Sequence, residues 1–245
     1  MRLPRLHVAG PLAAGDRELD DEAAHYLLRV LRRRVGDPLI VFDGEGTSAP
    51  AELLDAGRRR CVIRLGAPEA DHRVESSLSL HLGLALARGE RMDLALQKAC
   101  ELGVDRISLL QTERVELKLD ARRLENRMRH WQGVLVHAAQ QSGRSRIPRL
   151  DPPQDPDGFV ASLPEGGLRL ALDPEGEPLQ AAGAAAPEAV VLVTGPEGGL
   201  STGDLEQLDA GGFLRTRLGP RVLRAETAPL AALAVVQWLW GDLGG

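Results

Sequence analysis

The sequence predicts an α/β protein in two parts: a small β-rich N-terminal domain, then a larger domain built on a parallel sheet. Three observations carry the prediction. Short strand candidates dominate the first sixty-odd residues. From Leu78 onward, apolar runs of strand length alternate with amphipathic helical stretches, which is the pattern of βαβ units. Between them lies "GAPEADHRVESS" (Gly66–Ser77), polar and rich in turn formers, so the boundary falls there and the domains cover residues 1–70 and 76–245.

In the N-terminal part, "RLHV" and "PLIVFDG" read as strands, and "GEG" after the second is turn chemistry. "RRRCVIRLG" reads as a third strand with Cys61, Ile63 and Leu65 on one face; the arginines Arg58 to Arg60 ahead of it read as a solvated run. "DDEAAHYLLRVLRRRVGD" opens with acidic cap candidates and reads as one helix ending at Gly36. Leu27, Val30 and Leu31 form its apolar stripe, and Arg29, Arg32, Arg33 and Arg34 fall outside it.

The larger part opens with the strand "SLSLHLGLAL", in which Leu78, Leu80, Leu82 and Leu84 share a side. A helix follows in "RMDLALQKACELG", with Met92, Ala95, Leu96, Ala99 and Leu102 at helical spacing and Gly103 as its stop. "DRISLL" is a strand. The long helix after it runs from its cap Asp120 to Gly143, with Leu124, Met128, Trp131, Leu135 and Ala138 on one stripe. "LRLAL", "AVVLV" and "FLRTRL" supply three more strands, and "GAAAPEA" reads as a surface loop.

Composition narrows the function classes. Aromatic residues make up only 3% of the chain, so Leu, Val and Ala must build the core. The formal net charge of -5 argues weakly against nucleic acid, but the distribution of basic residues matters more than their sum. Of 30 basic residues only Lys98 and Lys118 are lysines; genome base composition and selection for phosphate contacts both account for that bias. Cys61 and Cys100 sit in no metal-ligand spacing and the six histidines form no paired motif, so we expect reduced thiols, no metal site and a cytoplasmic location. The N-terminus has no apolar signal segment, and the apolar "PLAALAVVQWLW" is too short for an easy membrane span.

Ligands of parallel sheets bind at the carboxyl ends of the strands. Three such ends are available: "LRLAL" runs into Asp173-Pro174-Glu175-Gly176, "AVVLV" into "TGPEGGLS", and "FLRTRL" into "GPRVLRAET". The glycine-rich loop lacks the "GK[ST]" of a phosphate loop, and Glu197 in its middle would repel an anion. A ligand with a cationic or hydroxyl-rich face suits it, and S-adenosylmethionine has both. On residue chemistry alone the stretch reads equally well as a tight turn into a helix, with Ser201 as cap and Asp204 three residues on.

The stretches "LVTGPEGGLSTGDLEQL" and "LGPRVLRAETAPLAAL" resemble the cofactor signature of the SPOUT, or trefoil-knot, RNA methyltransferases. Within that class the chain resembles the RsmE family, the small-subunit ribosomal RNA uridine-N3 methyltransferases. "HYLLRVLRRRVGDPLIVFDG", "LARGERMDLALQKACELGV", "TERVELK" and "QQSGRSRIP" follow in family order over nearly the whole chain. The resemblance implies a PUA-like N-terminal barrel, a knotted C-terminal sheet, S-adenosyl-L-methionine as cofactor, and 16S ribosomal RNA of the small subunit as partner. It also implies a homodimer paired through the knot and the last helix.

Carried over residue by residue, the resemblance implies cofactor contacts at Leu172, Thr194, Gly195, Pro196, Glu197 and Gly198. The third loop adds Leu218, Gly219, Pro220, Val222, Leu223, Arg224 and Ala225. The chain departs from the family pattern at Ala228-Pro229, where a second Thr and an Ala are usual.

Methylating N3 of uracil removes an imide proton and spreads negative charge onto O2 and O4. Arg224 is the candidate cation, and Glu226 and Thr227 are candidates for accepting or orienting the proton; a structural Arg224–Glu226 ion pair at a helix start is the simpler alternative. N3 takes part in base pairing, so the target must be unpaired or pulled from its stack. Family positions near the site assign RNA contact to Arg88, Arg91, Arg114, Arg144 and Arg146, and Arg29, Arg32 and Arg33 extend the basic surface. Rival readings are a transfer-RNA methyltransferase of the same class, whose ribose-modifying members carry an Asn-x-x-x-Arg signature where this chain has "ARGERMD", and a non-catalytic RNA-binding assembly factor. The helix "PLAALAVVQWLW" is apolar nearly all round; with one face on its own sheet, Val235, Trp238 or Leu239 would face water, which fits the homodimer.

Overall fold

The structure, a computed structural model, describes residues 3–57, 60–115, 120–179 and 186–244. Arg58 and Arg59 of the solvated run, Lys118, and the first three residues of "GAAAPEA" lie outside the described residues. The chain divides into two compact units, Met1–Glu75 with Val136–Ile147, and Ser76–Leu135 with Pro148–Gly245.

The first unit carries β1 (Arg5–His7), β2 (Gly15–Glu18), α1 (Asp21–His25), β3 (Pro38–Phe42), β4 (Thr47–Ala56), β5 (Cys61–Leu65) and β6 (Glu69–Ala70). Its sheet runs β1-β3-β4-β5-β2, with β6 paired to β4; only the β1–β3 pair is parallel. Leu6, Leu39, Val41, Ala49, Leu53 and Ile63 meet Ala23 and Leu27 in one core. Three strands escaped the sequence reading: the two-residue β6, inside the stretch assigned to the boundary, and two more for physical reasons. β2 is a polar edge strand, "GDRE", and β4 carries Pro50, which withdraws a ladder donor.

The helix expected to reach Gly36 stops early. After α1 the backbone widens into a π-helical turn, Tyr26–Val30, with the Leu31 N–H bonded to Tyr26 O at 2.9 Å, and Arg32 turns left-handed at φ 54°. The wider turn rotates the side chains that follow, so Val30 is 57% exposed instead of completing the apolar stripe.

The segment that returns to this unit is tied in by polar contacts. Arg5 Nη2 donates to Ser145 Oγ (2.5 Å), and Ser145 Oγ donates to Asp71 Oδ2 (2.7 Å). Arg144 Nε donates to Glu75 Oε2 at 2.9 Å, and the Gly46 N–H reaches Ser145 O. The Arg73 guanidinium, with help from Ser145 and Ser48, holds the Asp71 carboxyl far below the usual carboxylate range despite its burial.

The second unit has six parallel strands in the order β12-β10-β11-β7-β8-β9. They are β7 (Ser79–Ala85), β8 (Arg106–Leu110), β9 (Arg149–Gln154), β10 (Leu168–Pro178), β11 (Ala189–Thr194) and β12 (Leu214–Arg217). β9 contains Pro152 and Pro153, which hid it from the sequence reading and which an edge strand tolerates. The helices are α2 (Glu90–Glu101), α3 (Ala121–Ser142), α4 (Pro156–Ala161), α5 (Thr202–Ala210) and α6 (Thr227–Trp240). α3 begins in this unit, and its last turns belong to the first. Gln237, the polar side chain in the apolar stretch of α6 after Leu230, is fully buried: its Nε2 donates to Leu102 O at 2.8 Å and its Oε1 accepts from Ser76 Oγ.

A polar chain crosses the sheet beneath Phe159. His81 Nε2 lies 2.9 Å from Ser108 Oγ, which donates to Asp151 Oδ2 at 2.8 Å, and Arg106 and Arg149 both pair with Asp151. Burial pushes the His81 pKa down to about 4, with the Arg106 charge acting the same way. No helix among the described residues is long and apolar enough to cross a membrane.

Candidate functional site

β10, β11 and β12 are neighbours in the sheet. The loops that follow β11 and β12 therefore meet the stretch of β10 between Leu172 and Glu177, where its pairing with β12 breaks register and the strand continues past the end the sequence suggests. They wall one cleft. Leu172, Gly195, Pro196, Glu197, Leu218, Gly219, Val222, Leu223 and Ala225 line it, as the sequence assigns. Asp173, Pro174, Gly199, Thr216, Arg217, Arg221 and Ala228 line it as well. These belong to the same three segments or the turn after them, and closeness to the motif was the only signal that marked them.

The remaining assigned residues sit elsewhere. Thr194, the last residue of β11, is fully buried behind the cleft. Gly198 faces a second pocket, and Pro220 and Arg224 are exposed outside the cleft lining. Arg224 O accepts the N–H groups of Thr227 and Ala228 at 2.9 Å each, which closes the first turn of α6. The alternative Arg224–Glu226 ion pair is not what forms around Glu226. Its Oε2 lies 3.9 Å from Arg91 Nε, with its side chain 15% exposed. Thr227 opens α6 and is exposed.

The glycine-rich loop folds sharply back on itself. A Cβ on Gly195 would stand 2.8 Å from Leu200 N and 2.9 Å from Gly199 C, so only hydrogen fits there. The Gly199 N–H donates to Pro196 O at 2.9 Å, with Gly199 at φ 71°. Ser201 and Asp204 form the reciprocal capping box of α5, and Asp204 Oδ1 also accepts the Glu113 N–H at 3.1 Å. The tight-turn reading is therefore correct as far as it goes, and the same turn walls the cleft. At β10, a Cβ on Gly176 would lie 2.6 Å from the backbone of Arg215 and Thr216, so this glycine lets the extended strand run flush against β12.

Glu197 points away from an anion-binding role. Burial alone would raise its carboxyl, but its own N–H, the Arg91 guanidinium and the Arg88 N–H outweigh that and hold it below the ordinary value. Arg91 Nη1 is 2.8 Å from Glu197 Oε1. Arg114 Nη1 donates to Gly198 O at 2.7 Å and to Leu200 O at 3.2 Å. Together with Arg88, Glu113 and Val115, these residues line the second pocket, next to the cleft and sharing Glu197 with it.

The arginines assigned to RNA thus divide. Arg88 is exposed in the second unit; in the first, Arg29, Arg32 and Arg146 are exposed and Arg33 is half-buried. Arg144 is a correction. It is 2% exposed and its guanidinium is committed to Glu75, Nη2 at 2.8 Å from Oε2, so it is a structural ion pair and does not present a phosphate contact. Among the described residues no group of three or more His, Cys, Asp or Glu is placed to hold a metal ion.

Comparisons with known proteins agree with this geometry. A family model described as an RNA methyltransferase domain matches residues 74–237, and one described as an RNA methyltransferase PUA domain matches residues 19–66. The chain is 34% identical to ribosomal RNA small subunit methyltransferase E of Synechocystis, over 88% of this chain and 70% of the relative. It is 33% identical to the protein of that name from Mycobacterium tuberculosis, over 89% and 84%. Among solved structures, a methyltransferase of Legionella pneumophila in complex with bound cofactor SAM superimposes with a TM-score of 0.93 at 36% identity, covering 99% of this chain and 100% of that one. Ribosomal RNA small subunit methyltransferase E of Neisseria gonorrhoeae, bound to S-adenosyl methionine, gives 0.90 at 32% identity over 99% and 100%.

Proposed function

Because the chain belongs to the ribosomal RNA small subunit methyltransferase E family, we propose that it methylates N3 of a uridine in 16S ribosomal RNA, with S-adenosylmethionine held in this cleft. The observation that carries this reading is the convergence of the three segments on one cleft in a fold whose solved relatives contain that cofactor.

The residues present fit the group. The walls are backbone and apolar side chains, with two carboxylates, Asp173 and Glu197, two arginines, Arg217 and Arg221, and no lysine. Thr216 lines the cleft with a buried Oγ1 that has no hydrogen-bond partner among the described residues. Such a mixed lining suits adenine, ribose hydroxyls and a ligand that carries charges of both signs. Leu172, Gly195, Pro196, Leu218, Gly219, Val222, Leu223 and Ala225 would hold it, with Thr194, Gly198, Pro220 and Arg224 shaping the loops behind.

When bound, the cofactor supplies an electrophilic methyl group on a sulfonium. In this reading Arg224, exposed at the head of α6, stabilises charge developing on uracil O2 and O4. Glu226 accepts the N3 proton and is oriented by Arg91, while Thr227 fixes the base edge. Arg29, Arg32, Arg33, Arg88 and Arg146 contact phosphate. The loops are threaded as a trefoil knot, and the chain works as a cytoplasmic homodimer. Mass mapping of methyl groups on small-subunit RNA after incubation with labelled cofactor tests the reading. A single N3-methyluridine supports it; no transfer, or transfer to ribose, overturns it.

A further inference from the structure

We infer that Arg91 and Arg114 are positioning residues of the cofactor cleft, locking the glycine-rich loop into its binding shape from outside. This deepens the reading of the cleft as the cofactor's site and rests on it. Neither arginine lines the cleft. Both grip the loop that does, Arg91 through the Glu197 side chain and Arg114 through the backbone carbonyls that follow it.

Arg91, in the first turn of α2, holds the Glu197 carboxylate at 2.8 Å and stands 3.9 Å from the Glu226 carboxylate at the head of α6. One guanidinium therefore spans two of the three segments around the cleft. The Glu197 carboxylate also accepts the Arg88 N–H, in the loop just ahead of α2.

Arg114 acts on the backbone after Glu197. Its Nη1 takes the carbonyls of Gly198 and Leu200, and its stem lies flat against the chain there. A Cβ on Gly198 would be 3.3 Å from Arg114 Cβ and 3.4 Å from Cδ, so this glycine makes room for the arginine and not for a ligand. The turn itself adds the backbone hydrogen bond from Gly199 N–H to Pro196 O. Order imposed from outside lowers the conformational cost of binding. Each anchor is partly exposed, so each contributes modestly.

The test is calorimetric binding of S-adenosylmethionine to the full chain without RNA, using Arg91→Met, Arg91→Lys, Arg114→Met, Glu197→Gln and the Arg91→Met/Glu197→Gln double variant. RNA affinity is measured beside it at two salt concentrations. The cofactor Kd is expected to rise about twofold to fivefold in Arg91→Met and Arg114→Met, with partial rescue in Arg91→Lys. The double variant should be no worse than the weaker single, the non-additivity of a coupled pair. An unchanged cofactor Kd with an RNA salt slope lowered by about one would overturn the inference and make the arginines phosphate contacts. A variant that loses stability is judged on Arg91→Lys and Glu197→Gln, whose additive effects would equally overturn it. Failure of the unaltered chain to bind the cofactor would instead overturn the reading of the cleft.

Discussion

Glu197 and Arg91 meet at 2.8 Å between the glycine-rich loop and the first turn of α2. That contact explains why a loop of this shape carries a carboxylate: the charge is spent on the protein's own arginine. It leaves the inner face of the loop to backbone, and a backbone-lined wall tolerates no side chain where it folds tightest.

Gly195 is that point. Its missing Cβ would strike the backbone of Gly199 and Leu200, which have no freedom to move aside. Gly195→Val is expected to raise the cofactor Kd at least tenfold, about 1.4 kcal/mol. At Gly198 the neighbour is the flexible Arg114 stem, so Gly198→Ala should cost much less. Isothermal titration of the two variants checks the ranking; equal losses would refute it.

Arg144 and Arg146 are two residues apart in sequence and opposite in role. Arg144→Met strands the buried Glu75 carboxylate and is expected to cost about 3–5 kcal/mol of stability in urea denaturation. Arg146→Ala should leave stability nearly unchanged and lower the salt slope of RNA binding by about one. A stable Arg144→Met protein with a reduced salt slope would return Arg144 to the RNA surface.

What the sequence showed and what it hid follow from range. The ends of β11 and β12 were legible because an apolar run followed by Gly-Pro is a local signal, whereas Asp173-Pro174 marks an irregularity inside β10 and not its end. The partner of Glu197 lies 106 residues away and that of Arg144 lies 69, so no local pattern announces either. Pro50, Pro152 and Pro153 hid two strands that tolerate them. The π-helical turn at Tyr26–Val30 broke a helical period that looked continuous to Gly36.

His81 should make the fold sensitive to acid. Its folded pKa of about 4 lies below the ordinary 6.5, so the folded state disfavours the proton. The stability contributed by neutral His81 is complete above pH 6.5 and is lost as the pH falls toward 4, by about 3 kcal/mol. Carboxylates held low, such as Asp71 and Asp151, lose stability at still lower pH. Urea denaturation at pH 7.5 and pH 4.5 should show a smaller acid loss in His81→Gln than in the unaltered chain. Equal losses would place the sensitivity elsewhere.

The outer face of α6 predicts the assembly. Ala232, Leu233 and Val236 turn inward and are fully buried, and Gln237 is anchored to Leu102 and Ser76, which fixes the rotation of the helix. With that rotation set, Val235 is left 37%, Trp238 64% and Leu239 41% exposed on one side. An apolar patch built around a tryptophan is costly in water, and pairing the patch with its own copy about a two-fold axis removes it with a single surface. We expect light scattering at micromolar concentration to give twice the chain mass of 26.4 kDa. Trp238→Glu with Val235→Glu should bring it down to one chain while the helical content holds, because neither side chain faces the core. A single-chain mass for the unaltered protein would sink the dimer.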